Sequence, residues 1–554
     1  MKFRFCVILF MISVLFLSCG VKKSLEQRPD LSGIEQIDTS RIQHGENHFS
    51  LGNNQLFLNE QGIWELYIEG DALERGLANG SLTRELLQHQ ERVFMEKLQS
   101  MVPSRSYRGF LKNVVSWFNR KMYQHVPEEY QQEIFGVSRF ALADYDDFAP
   151  AYVRMLYLHG AHDIGHALQD LMLVGCTSFA AWGEKTEDGQ LLIGRNFDFY
   201  AGDDFAQQKI AAFVNPDSGH KFMMYTWGGM TGVVSGMNEK GITVTINAGK
   251  SKIPFVAKTP ISLVTREILQ YAGNTSEAIE IAKKREVFVS EAIMISSADE
   301  QKAVLIEVSP SDFGVYEVDN SDELVCSNHF QSETYSEDRR NLKAIEESHS
   351  KYRYDRMKEL LSEANHLDPE KAVSILRNRR GLNDVPLGYG NEKAINQLLA
   401  HHGIIFKPEE RLVWVSSNPY QMGEFVAYDL DEAFSQFQQG LIKTSVATSK
   451  FNIPESEFIH TKQFHDYEEY RKLKSDVKIA LSGDASVEAV KAEKLVKLNP
   501  EFWEAWYLAG MVYYENSDFK NAVIHFKQAQ RREVTTKPDE EMISKMIRKS
   551  YRKL

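Results

Sequence analysis

Cys176 follows Gly175 and opens a short apolar run to Trp182. A second run, Gln190 to Phe197, contains Arg195 and leads into Asp198, and Glu187-Asp-Gly189 between the runs has the chemistry of a hairpin turn. An antiparallel hairpin returns Arg195 and Asp198 to the neighbourhood of the first strand's start. A cation beside a thiol lowers its pKa towards the reactive thiolate. A carboxylate beside an amine holds it in position and stabilises its protonated form. Together these residue types suit nucleophilic catalysis, whereas a cysteine alone in an apolar strand reads as a core residue.

Further segments extend the pattern. Gly175-Cys-Thr-Ser-Phe-Ala-Ala-Trp, then Asp188-Gly-Gln-Leu-Leu-Ile-Gly-Arg-Asn-Phe-Asp198, resembles the cysteine N-terminal nucleophile (Ntn) hydrolases. Within them it is most similar to the C45 peptidases, the isopenicillin N and acyl-CoA:6-aminopenicillanic acid acyltransferase-like enzymes. Bile salt hydrolases, penicillin V acylases and acid ceramidase are more distant. Gly236-Met-Asn-Glu-Lys-Gly-Ile-Thr-Val-Thr-Ile-Asn247 resembles the family segment that ends in the oxyanion-hole Asn, and Cys326-Ser-Asn328-His-Phe its second Asn motif. Lys351-Tyr-Arg353-Tyr-Asp-Arg356 resembles the helix start with the late family Arg, where Arg353 is the better match and Arg356 the alternative. Gly70 to Gly80, with Glu74-Arg75-Gly76, is similar to the opening of C45 precursors. The resemblance covers about residues 60–430 in the family order, which makes it far more specific than Arg-x-x-Asp alone.

The resemblance implies a four-layer αββα sandwich and a defined chemistry. The precursor cleaves its own Gly175–Cys176 bond and frees the α-amine of Cys176. Such an amine titrates near 7.7–8.0 and serves as base without a His partner. The thiolate attacks an amide or ester carbonyl, Asn247 donates to the oxyanion, Arg195 and Asp198 orient and tune the nucleophile, and Asn328 and Arg353 complete the polar site. Water or an amine resolves the thioester. The product is an α/β heterodimer acting on an N-acyl small molecule, with no cofactor and no metal. Gly175 is expected because a residue without a side chain tolerates a strained precursor backbone.

The pattern around these residues is α+β. Residues 50–175 read as mostly helical after a strand at Ile63–Ile68, with helices over Ala78–Leu98, Arg108–His125, Glu128–Asp144 and Asp147–Leu173. From Cys176 to about 445, strand runs alternate with the helix pairs Pro260–Tyr271/Thr275–Lys284 and Tyr354–Ala364/Pro369–Leu376, which defines the catalytic unit. Over 463–554, Trp506, Ala509, Gly510, Tyr513, Ala522, Phe526 and Ala529 match tetratricopeptide spacing, with Pro500 closing a preceding partial repeat that includes Ala492 and Leu495. About one and a half repeats cannot bury their own face, so this region either docks on the catalytic unit or presents a groove to a protein partner.

At the other end, Lys2 and Arg4 precede an apolar stretch that reaches Leu17, and residues 1–18 read as a secretory signal too short to span a bilayer. Phe16-Leu-Ser-Cys19 resembles a bacterial lipobox, which implies diacylation of Cys19 and a lipid-anchored protein of the cell envelope. Residues 19–49 read as a polar tether. The 554 residues carry a net charge of −13, which argues against nucleic-acid binding, and four cysteines are too few for a disulfide scaffold.

Three other readings compete. His159, His162 and His166 invite a metal, but the His-Glu-x-x-His signature is absent and no carboxylate pattern completes a site. A papain-like Cys–His enzyme would use His329 or His401 as base, without the sequence that surrounds the cysteine in those enzymes. A lipid-anchored binding protein with a degenerate Ntn fold would recruit a partner through its C-terminal helices. Against that last reading, every expected polar position is filled.

Overall fold

The computed structural model describes residues 20–32, 37–101, 105–160, 163, 173–252, 254, 256–399, 401–483 and 488–554. The signal segment, Cys19, His162 and His166 lie outside the described residues.

Two large sheets stack face to face. The first has eleven strands among the described residues. Its N-terminal part is Ile42–Gly45, His48–Leu51, Asn54–Leu58 and Trp64–Gly70, and its remainder is Lys209–Pro216, Phe222–Trp227, Ser235–Asn238, Ile242–Ala248, Glu291–Ser297, Lys302–Val308 and Phe313–Tyr316. All neighbours are antiparallel except Trp64–Gly70 and Lys209–Pro216, which pair in parallel from Trp64↔Ile210 to Gly70↔Pro216. The second sheet has six antiparallel strands in the order Glu323–Cys326, Thr177–Ala181, Leu192–Phe197, His402–Lys407, Leu412–Ser416 and Phe425–Asp429.

Strand periodicity builds the layers. Side chains alternate across a strand, so each buried strand feeds two interfaces. Val244 and Ile246 face the helices Ile261–Tyr271 and Thr275–Lys284 over the first sheet, together with Leu66, Ala212 and Ile295. Tyr67, Phe213 and Met294 face the other way, onto Ile193, Ile404 and Val415 of the second sheet. Phe179, Leu192 and Trp414 then cover the far side of the second sheet against Met357, Val373 and Leu376 of the helices Ser350–Glu363 and Pro369–Leu376. The order is helix, sheet, sheet, helix: an αββα sandwich of the Ntn-hydrolase type.

The N-terminal part departs from the sequence reading. Residues 42–49, expected within a polar tether, fall in the first two strands of the first sheet and their turn, and residues 50–51 and Asn54–Leu58 lie within the segment expected to be mostly helical. Strands as short as four residues, rich in His, Gln, Gly and Asn, leave no alternation long enough to read. The expected helix Ala78–Leu98 is two helices, Ala72–Leu82 and Arg84–Met101, the first opened by a capping box of Asp71 and Glu74. It crosses Glu128–Ser138 so closely that a Cβ on Gly76 would collide with the Glu133 carbonyl. Within the expected helix Asp147–Leu173, the described residues form a helix over Ala151–His159 and end in the short strand Leu173–Val174.

Residues on both sides of Gly175 are therefore knitted together. Besides the parallel strand pair, a buried ion network crosses the divide: Glu133 accepts from Arg75 at 3.0 Å and from Arg266 at 3.1 Å. Burial raises the Glu133 carboxyl, but Arg266 and Arg75 overcome this and hold it below the ordinary range. The C-terminal region forms antiparallel helices, Lys462–Ser482, Ala489–Leu498, Trp503–Glu515, Phe519–Gln530 and Lys537–Tyr551. Gly510 lies against the Phe526 ring, as a close helix pair requires. Leu398 and Met422 of the catalytic unit belong to the same apolar cluster, and Tyr467 donates to the Leu398 carbonyl at 3.1 Å, so these helices dock on the sandwich. Among the described residues, no helix is long and apolar enough to cross a membrane.

Candidate active site

The hairpin places the expected nucleophile. Thr177–Ala181 pairs with Leu192–Phe197 in the register Ser178↔Arg195, so Cys176 stands one residue before its strand at the end where Asp198 leaves the partner strand. The turn between them uses Gly189 at φ +79°, open to glycine at no steric cost. The Gly175 amide donates to the Asp198 carbonyl at 3.1 Å.

Arg195 spans the space between the sheets. Its Nη1 donates to the Val234 carbonyl at 2.9 Å and to Ser235 Oγ, its Nη2 donates to the Ile246 carbonyl, and Nη2 also stands 3.8 Å from Cys176 Sγ. The guanidinium is thus fixed by the first sheet and aimed at a thiol on the second. Ser235 Oγ is hydrogen-bonded to His402 Nε2 at 2.9 Å, extending the network inward.

Arg353, from the helix Ser350–Glu363, ties three site residues together. Nη1 donates to the Cys176 carbonyl at 2.7 Å and to Thr177 Oγ1, and Nη2 donates to Asn328 Oδ1 at 2.6 Å. Asn328 Nδ2 in turn donates to the Ala248 carbonyl at 2.9 Å. Arg356 instead pairs with Glu359 and Asp384. Asn247 closes the cluster from the first sheet: Ser178 Oγ donates to its Oδ1 at 2.6 Å, and its Nδ2 makes only a long bond, 3.4 Å, to the Cys326 carbonyl. Ser178 thereby fixes which end of the Asn247 amide carries the donor.

Burial sets the electrostatics of the uncut chain. The Cys176 thiol has no solvent exposure and is pushed up to about 11, chiefly by burial, with Arg195 opposing and the Asp198 charge adding. Asp198 is raised to about 7 by burial, against the pull of Arg353, Gln421 and Arg195. Its Oδ1 accepts from Gln421 at 3.3 Å, and its Oδ2 has no hydrogen-bond partner among the described residues. A carboxyl balanced near neutrality beside a protonated thiol suits a site that moves protons.

The papain-like arrangement is not assembled among the described residues. His329 bonds to Ser327 and Ser350, and His401 to His402, so neither is hydrogen-bonded to Cys176 as a papain-like base would be. His159 bonds the Met155 carbonyl and Thr231, a satisfied core histidine, and no metal-ligating cluster occurs among the described residues. A cleft of about 700 Å³ between residues 370–389 and Lys497–Glu501 contains none of the six site residues, and its Arg377 and Arg379 already donate to backbone carbonyls.

Several contributors carry no motif. Ser235, Gln421 and His402 become visible only through the packing of the two sheets. Gln397 does so too: its Nε2 donates to the Gly175 carbonyl at 2.9 Å. Gly175 itself has no left-handed φ, so the expected backbone strain is not seen there; a Cβ at this position would instead displace the Gln397 amide. Beside the thiol, Phe199, Phe205 and Trp227 gather with Phe197 and His401, with ring centroids 5.1–5.3 Å apart for Phe205 against Phe199, Trp227 and His401. Cys176 belongs to the same apolar cluster, while Tyr200 turns away to Asp203.

The comparisons with known proteins fall on this same unit. Residues 184–418 match the family model of the acyl-coenzyme A:6-aminopenicillanic acid acyl-transferases. Over these residues the chain is similar to that family. The acyl-transferase match begins just beyond Cys176 and takes in Arg195, Asp198, Asn247, Asn328 and Arg353. An uncharacterized protein of Archaeoglobus fulgidus is 28% identical over 275 residues, 47% of this chain and 45% of that protein. The Dictyostelium discoideum protein dcd1B is 24% identical over 270 residues, 45% of this chain and 51% of its own. The chain thus spans about half the length of these curated relatives. Among solved structures, a Caenorhabditis elegans ortholog of N-acylethanolamine-hydrolyzing acid amidase matches 42% of this chain and 93% of its own, at 19% identity and TM-score 0.32. A conjugated bile acid hydrolase variant from Clostridium perfringens matches 46% and 93%, at 14% identity and the same TM-score.

Proposed function

We propose that the chain is a self-cleaving cysteine Ntn enzyme that hydrolyses or transfers the acyl group of an N-acylated small molecule through a thioester on Cys176. The observation that carries this reading is the convergence on one residue: Arg195 meets its thiol and Arg353 meets its carbonyl, while Arg353 also holds Asn328.

The steps follow from the residues. Cys176 Sγ attacks the Gly175 carbonyl carbon, the C–N bond to Cys176 breaks, and the leaving nitrogen takes the thiol proton. Water cleaves the resulting thioester, leaving a Gly175 carboxylate and a free α-amine. That amine then takes the thiol proton for attack on substrate, with Arg195 stabilising the thiolate and Asp198 positioned to steady the ammonium form. Asn247 Nδ2, held by only one long bond, donates to the substrate oxyanion. The aromatic cluster beside the thiol favours an apolar or aromatic acyl group.

The protein is proposed to sit in the cell envelope on a diacylated Cys19, with the docked C-terminal helices offering their outer face to a protein partner. Cys19→Ala is expected to move the protein from the membrane to the soluble fraction; unchanged membrane association contradicts the anchor. A screen of the purified protein against N-acyl amino acids, N-acyl lactones, β-lactams and bile-acid conjugates tests the substrate class. Release of an amine from at least one, abolished by Cys176→Ala, supports the reading; turnover that survives Cys176→Ala contradicts it.

A further inference from the structure

The bond to be cut needs its own electrophilic assistance. When Sγ of Cys176 adds to the Gly175 carbonyl, negative charge develops on the Gly175 oxygen, not on a substrate oxygen. Asn247 does not serve there in the uncut chain: its Oδ1 takes the Ser178 hydroxyl, and its Nδ2 points to the Cys326 carbonyl. The group that touches the Gly175 oxygen is Gln397, whose Nε2 donates at 2.9 Å.

We infer that Gln397 is a catalytic residue of self-cleavage, its side-chain amide stabilising the oxyanion formed on Gly175. This rests on the proposed self-cleavage and adds a second oxyanion donor, separate from Asn247, that serves the maturation step alone. Several features aim it. Gln397 is 1% exposed, so its amide is shielded from bulk water and an aligned donor counts for more than it would in solvent. Its neighbours are pinned: Asn396 donates to Gln421 Oε1 at 3.0 Å and accepts from the Leu398 amide at 3.1 Å. Leu398 adopts φ +52°, a conformation that leucine rarely takes, which turns the chain at this point. From the other side, the Gly175 amide is held by the Asp198 carbonyl at 3.1 Å. Residue 175 is therefore held on both sides of its Cα, through its amide in the preceding peptide and its carbonyl in the peptide to be cut, and a Cβ there would run into the Gln397 amide.

In the addition step, the Sγ–C bond forms, the carbonyl π electrons move onto oxygen, and Gln397 Nε2–H donates to them. Collapse of this intermediate breaks the C–N bond, and the nitrogen keeps the electron pair and takes the thiol proton. Gln397 gains and loses no proton.

The test is the rate at which freshly made full-length chain gives the 176–554 fragment, for wild type, Gln397→Ala, Gln397→Glu and Gly175→Ala, with circular dichroism to confirm folding. Loss of one oxyanion donor lowers such rates by about 10²–10³, and Gln397→Ala is expected to slow cleavage by that factor. Gly175→Ala, which displaces the amide, should act in the same direction. Gln397→Glu keeps the shape but donates only when protonated, so its rate relative to wild type should rise as pH falls. A purely structural role gives no such trend. Cleavage of folded Gln397→Ala at the wild-type rate, or a Gln397→Glu ratio that ignores pH, overturns the assignment while leaving self-cleavage intact. A wild-type chain that never cleaves overturns both.

Discussion

Arg353 donates to the carbonyl oxygen of Cys176 at 2.7 Å and lies 177 positions downstream of it. A helix on the outer layer thus reaches through the second sheet's end to hold the main chain of Cys176. Because Arg353 is fully buried, its removal also leaves Asn328 Oδ1 and the Cys176 carbonyl without their donor. Each orphaned buried acceptor costs about 1–3 kcal/mol. Arg353→Met is therefore expected to lower the melting temperature and to abolish turnover, and a stable, active variant would remove Arg353 from the site.

Asn247 and Ser178 form a donor and its orienting partner. Asn247→Ala should reduce kcat by about 10²–10³ with little change in KM, as expected for a contact made in the transition state. Ser178→Ala frees the amide to turn and should cost less than Asn247→Ala, again in kcat. Steady-state kinetics on each variant decide the matter; an effect confined to KM places Asn247 in ground-state binding.

Asp198 has its carboxyl raised to about 7 by burial. A carboxyl with a raised folded pKa imposes no penalty below the ordinary carboxylate range and its full penalty above the folded value. Stability should therefore fall as pH rises from about 4 to about 7, by roughly 4 kcal/mol in order of magnitude. In the uncut Cys176→Ala background, Asp198→Asn should flatten this fall. Denaturant titrations at pH 4.5 and 8 measure it, and equal pH dependence with and without Asp198 contradicts the burial argument.

Glu133 answers both Arg75 and Arg266 inside the protein. Glu133→Gln leaves two buried cations short of their counter-charge, and removing one partner of a buried pair typically costs about 3–5 kcal/mol. In the proposed cleaved form this network is one of the bonds between the two fragments, so the variant's fragments should separate at lower urea than those of wild type. Size-exclusion chromatography across a urea series reads this directly.

The meeting of Cys176 with Arg195 and Asp198 was more legible in the sequence than the N-terminal strands around it. The hairpin turn is marked by Glu187-Asp-Gly189, and the structure places the helices Thr275–Lys284 and Pro369–Leu376 at the expected residues. Cys176, Arg195, Asp198, Asn247, Asn328 and Arg353 lie on five separate segments; the hairpin pattern groups the first three, and only the family resemblance adds Asn247, Asn328 and Arg353. The strands at 42–58 were hidden because short polar edge strands owe their conformation to the sheet they extend. Gln397 was hidden for a related reason. It lies in a segment with no regular element, and its role depends on meeting Gly175 from 222 positions away.

The central claim is that Cys176 becomes the N-terminal residue of its own fragment. N-terminal sequencing and intact-mass measurement of the purified protein test it most directly. Two associated chains are predicted, the larger beginning Cys-Thr-Ser-Phe and ending at Leu554, with Cys176→Ala giving one uncut, inactive chain and Cys326→Ala cutting normally. A fully active enzyme that remains a single chain through Gly175–Cys176 contradicts the account.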